Sequence, residues 1–289
     1  MKKIIIYIIM CLVLPVYGAT PKSKSKAKTT VNAEEVLAQG REAFFNYDFE
    51  KAADLYDEYR TLKTKAKQEP SEDFEIWETQ LQVASNAFDK VQKIEIVDSL
   101  VVPADKFFES YKLAKSAGRI FGGNTPDVAG IGFENEWGDY RIQPESGEDG
   151  ELILKEKRKL LDGSWVTLDA LEGDFEKSGD YAYPFMSGDG QTLYFANNGD
   201  ESMGGFDIFV AQKEPITGEV RQPLNLGMPF NSPYDDFMMA VDEQSGLGWW
   251  ATNRNSEDGE VRIFVYKLVD VRENYPADTE DLVSKAKLD

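Results

Sequence analysis

The side chains available for chemistry are few in kind. The 289-residue chain has no histidine, and its one cysteine is Cys11. Catalytic triads that use His, His-liganded zinc, cysteine nucleophiles and structural disulfides are therefore excluded from a chain that has lost its first residues. Carboxylate, hydroxyl, Lys, Arg and Tyr chemistry is left. Carboxylates number 52, so many that no single pair is marked out for glycosidase work. Asp189 sits in Ser187-Gly188-Asp189-Gly190, where the Asp189-Gly190 step supplies the positive φ of a tight turn; a structural role is expected of both. Asn197, Asn198, Asp200, Glu201 and Asp207 alternate with Gly199, Gly204 and Gly205, an oxygen-rich composition that could hold Ca²⁺. Their order is not that of an EF-hand, and loop capping is the expected role. Trp249 and Trp250 are adjacent, so on a strand they face opposite sides. One is expected buried and the other free, beside Tyr234 and Phe237, to stack on a sugar ring or a peptide. These four aromatics are the candidate binding residues; no catalytic residue, cofactor or metal ligand is expected.

The stretch that must position them runs from Asp180 to Gln212. Tyr183, Phe185 and Met186 lead into the turn, Leu193, Tyr194 and Phe195 form a second apolar run, and Ile208, Phe209 and Val210 a third. Shifted by 55 positions without a gap, it falls on Asp235 to Lys267. Tyr194 and Phe195 then lie on Trp249 and Trp250, Asn198 on Asn253, and Ile208-Phe209-Val210 on Ile263-Phe264-Val265. The opposite shift lays Gly150 to Leu154 on Gly205 to Phe209, Gly163 on Gly218 and Phe175 on Phe230. About three copies thus occupy Asp127 to Leu268. A repeated unit of strands and turns at this period is the mark of propeller blades, which bury their faces only against neighbours.

Ahead of the repeat the pattern changes twice. Residues 1–18 read as a secretory signal peptide, with Lys2 and Lys3 before the apolar run Ile4 to Leu14 and small residues at Val16 and Gly18. Residues 19–31, with Lys22, Lys24, Lys26 and Lys28, read as a disordered basic linker. From Asn32 the period is helical: Val36, Leu37, Gly40, Ala43 and Phe44, a break at Asn46 to Asp48, then Ala52, Leu55, Tyr56 and Tyr59. A third helix is expected from Ser71 to Val91, carrying Phe74, Trp77, Leu81, Ala84 and Phe88. Ile94 to Val97 and Leu100 to Val102 read as a pair of strands, Phe107 to Ala117 as a short helix or turn, and Gly118 to Gly132, with Gly122, Gly123 and Pro126, as loop. Residues 273–289 form a polar tail with a short helix.

Two segments resemble known families. Leu37, Gly40, Ala43, Phe44, Asp48, Phe49, Ala52, Ala53 and Tyr56 follow the order of a tetratricopeptide (TPR) repeat, with small residues where its helices approach. YPFMSGDGQTLYFANN, GGFDIFVAQK and PLNLGMPFNSPYDD are similar to the WD40-like (PD40, TolB-type) propeller repeat, as found with TPR-like helices in exported envelope proteins of Bacteroidetes. The resemblance implies a scaffold role in the blade for Asp189, Gly190, Gly204, Gly205, Asp207 and Ile208.

The expected fold is α+β and multidomain. TPR-like helical hairpins over residues 32–92 precede an all-β, small or incomplete WD40-like propeller over 93–272. Net charge is −20 and becomes −22 if the first eighteen residues are removed, since they hold two lysines and no acid. Nucleic acid is disfavoured as a partner, and no segment is long and apolar enough for a membrane span. The expected function is that of an exported, non-catalytic protein-binding or scaffolding module of the cell envelope, periplasmic or surface-associated. One alternative is a glycan-binding protein or carboxylate-dependent glycosidase; another, on the resemblance alone, is a component of a secretion or motility machinery.

Overall fold

Small residues set the approach of the first helices. α1 (Ala33–Phe45) and α2 (Phe49–Ala66) are antiparallel neighbours, and a Cβ on Gly40 would lie 2.7 Å from the Tyr56 ring. The chain turns through Tyr47, at φ 64°, and the Asp48 carboxylate caps α2 by accepting from the Lys51 N–H at 3.4 Å. α3 (Phe74–Phe88) is shorter than the periodicity suggests and packs Phe74 against Tyr56 and Tyr59, at centroid distances of 5.5 and 4.7 Å. Trp77 is half-buried beneath the Arg41 guanidinium, 4.8 Å from its ring. These observations come from a computed structural model that describes residues 32–122, 130–175 and 178–289. The expected leader 1–18, the basic segment 19–31, and Gly123 and Pro126 lie outside the described residues.

Ala33–Asp289 forms one unit that holds these helices, a short C-terminal helix α4 (Leu282–Lys287), and strands in three antiparallel sheets. The first sheet runs in the order β2 (Arg119–Phe121), β3 (Gly132–Glu134), β4 (Tyr140–Ser146), β5 (Leu152–Lys159), β6 (Trp165–Ala170). The second consists of β7 (Tyr181–Met186), β8 (Thr192–Asn197), β9 (Asp207–Lys213) and β10 (Val220–Asn225), each beside its sequence neighbour. The third has β11 (Asp236–Asp242), β12 (Leu247–Thr252) and β13 (Glu260–Lys267), with β1 (Ile96–Pro103) added at its outer edge. Two expectations are corrected. Residues 94–102 are not a strand pair: Asp98 and Ser99 pair with Val265 and Phe264 inside one strand, which runs along β13 from Ile96↔Tyr266 to Pro103↔Glu260 with a register shift between Ile96 and Asp98. The span from Gly118 to Gly132 is not all loop, because Arg119 to Phe121 pair with β3 and Arg119 bonds Glu134 at 2.7 Å.

The 55-residue repeat is a repeat of backbone geometry. Tyr194 pairs with Val210 and Phe195 with Phe209; 55 residues on, Trp249 pairs with Val265 and Trp250 with Phe264. The register shift in the β7–β8 ladder between Ala182 and Phe185 recurs between Phe237 and Ala240. Within it, Tyr183 and Met238 each take a left-handed φ, 51° and 53°, unusual for side chains of this size. A bulge that bends the strand and strengthens its twist holds them there. Gly163 of the first sheet and Gly218 of the second both turn through positive φ, 84° and 77°. The connection 147–151 between β4 and β5 is shorter than 198–206 between β8 and β9, so the match of this copy cannot be gapless.

Packing runs from the first sheet to the second through β7, which lies against β3, β4 and β5, and from the second to the third through β11, against β7, β8 and β9. No closed barrel or propeller is detected among the described residues. Between the innermost strands, Phe107 packs on Tyr183 at 6.2 Å and Phe237 at 5.3 Å, and Tyr183 stacks on Phe237 at 4.7 Å. Antiparallel order puts the turns 135–139, 187–191, 214–219 and 243–246 at one end of the sheets and the connections 198–206 and 226–235 at the other. The helices occupy the second end, where Met203 and Met228 join their apolar cluster. Gln92 N–H donates there to the Met228 carbonyl at 2.9 Å.

Candidate functional site

The residues marked by the repeat are absorbed into architecture. Asp189 closes its turn by accepting from the Gln191 and Thr192 N–H groups at 2.8 Å each and from the Thr192 hydroxyl at 2.7 Å. Partial burial works against its charge, yet these donors hold it below the ordinary carboxylate range. The third sheet has Gln244 at the matching position and caps its turn from Asp242 instead, which accepts from Gln244 N–H at 3.0 Å and from Ala114 N–H at 3.0 Å. Gly190 takes φ 68°. Gly204 and Gly205 are required by close approach: Cβ atoms there would lie 2.3 Å from the Tyr234 carbonyl oxygen and 1.9 Å from an Asp235 carboxylate oxygen. The Ile208 backbone is bracketed by the Asn231 amide, which accepts from its N–H at 2.8 Å and donates to its carbonyl at 2.9 Å.

The four candidate aromatics do not converge. Trp249 and Trp250 do face opposite sides of β12, but both are buried, at 5% and 0% exposure, because both faces of this sheet are covered. Trp250 packs on Phe230, Phe264 and Tyr266 at 5.2, 4.9 and 5.5 Å. Phe237 is buried on Tyr183, and Tyr234 is half-buried against Phe45 of α1 at 5.2 Å. No free ring face remains at Trp249 or Trp250 for a ligand. The oxygen-rich loop is likewise spent on backbone: Asn197 donates to the Ser178 and Asp180 carbonyls and accepts from Gly199 N–H, and Asn198 accepts from Asp180 N–H at 2.6 Å.

Beneath the helices lies a polar knot. Arg254, 1% exposed, donates to the Pro229 carbonyl at 2.9 Å, the Phe230 carbonyl at 2.7 Å and the Thr252 hydroxyl at 3.2 Å, and pairs with buried Asp236. Burial pushes the Asp236 carboxyl up and Arg254 opposes it. Tyr47, from the turn between α1 and α2, is pushed up to about 12 by burial, with Arg254 and Asp236 acting in opposite senses. Asp207 is fully buried, one oxygen accepting from Met203 N–H at 3.0 Å and Asn225 at 2.7 Å, the other without a partner. Burial drives its carboxyl well above the usual range. A knot so enclosed joins helices to sheets and offers nothing to a ligand.

An open cleft lies at the other end, between the first and second sheets. It has a volume of about 700 Å³ and is bounded by the turns 135–139, 187–191 and 214–218. Asn135 fixes the first turn by accepting from Asp139 and Tyr140 N–H at 3.2 Å each, and this presents Trp137 at 76% exposure. Ile216 faces it from the third turn at 90% exposure. On the floor, one Glu156 oxygen accepts from the Tyr140 hydroxyl and pairs with Lys213. Burial and then the Glu156 charge push the Tyr140 hydroxyl upward. Both partners of Glu156 are satisfied inside the cluster, an arrangement suited to shape and recognition. Glu136, Asp139 and Glu214 line the rim. Sequence reasoning missed Trp137; the signal was a lone Trp in the polar turn Asn135 to Asp139, outside any apolar run.

No protein-family model matches the chain, and comparison with curated proteins finds no match.

Proposed function

We propose that the protein is an exported, non-catalytic protein-binding module of the bacterial cell envelope. Its helices are read as TPR-like hairpins, and its sheets as blades of a small, incomplete WD40-like propeller to which β1 supplies an outer strand. The observation that carries the reading is the contrast between the two ends of the sheets. At one, helices seal a polar knot; at the other, Trp137 and Ile216 stand exposed over a cleft whose charged floor is closed on itself. An exposed aromatic at the edge of a concave hollow is a common anchor of protein interfaces. Crosslinking of the tagged full chain in its own cells, followed by mass spectrometry, should recover envelope proteins in wild type and lose them with Trp137→Ala. Equal recovery with both chains would remove the cleft from the proposal, and recovery of none would remove the proposal itself.

A second reading is favoured by the same tryptophan, since a Trp ring beside the rim carboxylates Glu136 and Asp139 also suits a saccharide. A glycan array blank for wild type would sink it.

A further inference from the structure

Among the described residues, the first sheet has a face with no neighbour. Ile142, Leu154, Glu156 and Tyr140 point toward the second sheet, as the Glu156–Lys213 pair shows. Side chains alternate along a strand, so the opposite face carries Arg119, Arg141, Lys155, Lys157 and Lys159. The strands of this sheet pack on one another and mainly on β7 and the turn at Phe107–Ser110, with Lys213 of β9 reaching Glu156 on the inner face, and no other described helix or sheet packs extensively on them.

Its chemistry is opposite to that of the molecule. Two carboxylates serve four of these cations: Glu134 bonds Arg119 and Arg141, at 2.7 and 2.6 Å, and Glu145 bonds Lys157 and Lys155, at 2.7 and 3.6 Å. Lys159 pairs with no carboxylate among the described residues and lies over Trp165, 5.8 Å from its centroid. Arg141 is held between Trp165 and Phe121, at 4.1 and 4.8 Å. The other acids of these five strands are Glu156, on the far side, and Asp169. Cations therefore outnumber acids on this face, in a chain of net charge −20. Arg and Trp set rigidly side by side are the residue types that dominate binding energy at interfaces.

We propose that this face docks a short acidic polypeptide segment of a partner protein, an inference that rests on the protein-binding reading above and names the chemistry of one partner. Size selects the class. Five strands span roughly 20 Å, and beyond about 8 Å from the face the charge is screened at physiological salt. A long polyanion or an anionic bilayer would extend over the acidic remainder of the surface and be repelled, whereas a segment of a few acidic residues fits inside the basic area.

The test uses the full chain and fluorescein-labelled oligoglutamate, read by anisotropy. Wild type should bind at low salt, with affinity falling roughly tenfold or more at high salt. Lys157→Glu with Lys159→Glu should abolish binding, and Lys159→Ala, which breaks no ion pair, should weaken it by a factor of a few. Circular dichroism reports whether each variant is folded. No binding by wild type, or binding unchanged in folded variants, overturns the proposal. Tighter binding of duplex DNA or of phosphatidylglycerol vesicles overturns the choice of class, as does salt-sensitive self-association in sedimentation that Lys159→Ala removes. Oligoglutamate binding without any envelope protein in the crosslinking experiment would leave this face standing and remove the envelope reading.

Discussion

The second and third sheets share a backbone and differ at one end. Pairing, bulge and left-handed residue recur at 55 positions, yet Tyr181 and Gly199 of the second sheet correspond to Asp236 and Arg254 of the third. Tyr181 packs on Phe175 and Phe195 in an apolar setting, while Asp236 and Arg254 form the buried pair beneath Tyr47. Register and twist are thus carried by the main chain and tolerate a change from apolar to ionic packing where the helices dock. A buried ion pair adds little net stability by itself, but breaking one leaves an uncompensated charge. The largest effect that could break the comparison is therefore Arg254→Ala, expected to cost about 3–5 kcal/mol in urea unfolding followed by Trp fluorescence. Tyr181→Ala should cost no more than its buried area provides. A loss under 1 kcal/mol for Arg254→Ala would mean the knot is solvated and the helices are docked by apolar contacts alone.

Asp207 sharpens the same contrast through pH. The matching residue of the third sheet is Arg262, only half-buried, so the effect belongs to one copy. The carboxyl of Asp207 is raised by burial, with Asp236 adding to it and Met203 N–H and Asn225 opposing. A raised carboxyl holds its proton longer folded than unfolded, so its contribution is fully present below the ordinary Asp value and is lost as pH rises through the folded value. Asp236 shares the direction. Asp207→Asn should flatten this decline, seen as a smaller drop in urea midpoint from acid to neutral pH. A variant with the wild-type slope would assign the decline to Asp236.

Much of this was legible in the residues, and the illegible part has a common cause. Alternation and the Asp189-Gly190 turn located β7, β8 and β9, and the period located β11 to β13, because strands and turns are local. What joins β1 to β13 is pairing between distant segments, and nothing in Ile94 to Val102 states its partner. Arg254 reads as a loop residue between two asparagines until the Pro229 and Phe230 carbonyls and Asp236 surround it. The basic face was equally hidden, since only the register sets Arg141 beside Lys157. The error at Trp249 and Trp250 came from treating the strand as half-covered, when third-sheet residues are packed on both sides.

The two turns give a smaller test. Asp189→Ala removes bonds to Gln191 and Thr192 at an exposed turn and should cost about 1 kcal/mol. Asp242→Ala also frees Ala114 N–H and should cost more, by up to about 1 kcal/mol. Both carboxyls lie below the ordinary value, so their contributions are present above it and disappear as pH falls through the folded values. Equal losses for the two variants would show that the Ala114 bond does not tie the segment before β2 to the third sheet.

The smallest expected change in stability is at the cleft, and that smallness separates a site from scaffold. Trp137 is 76% exposed and Ile216 90% exposed; neither removes a buried partner when truncated. Trp137→Ala and Ile216→Ala should each leave unfolding within about 0.5 kcal/mol of wild type, whereas Trp250→Ala should cost about 3–5 kcal/mol. A large exposed aromatic that stability does not need is held in place by Asn135 at a cost in solubility, and partner binding is what would repay it. If Trp137→Ala destabilised the protein as Trp250→Ala does, the ring would belong to the core, and the cleft would lose its claim as the binding end of the molecule.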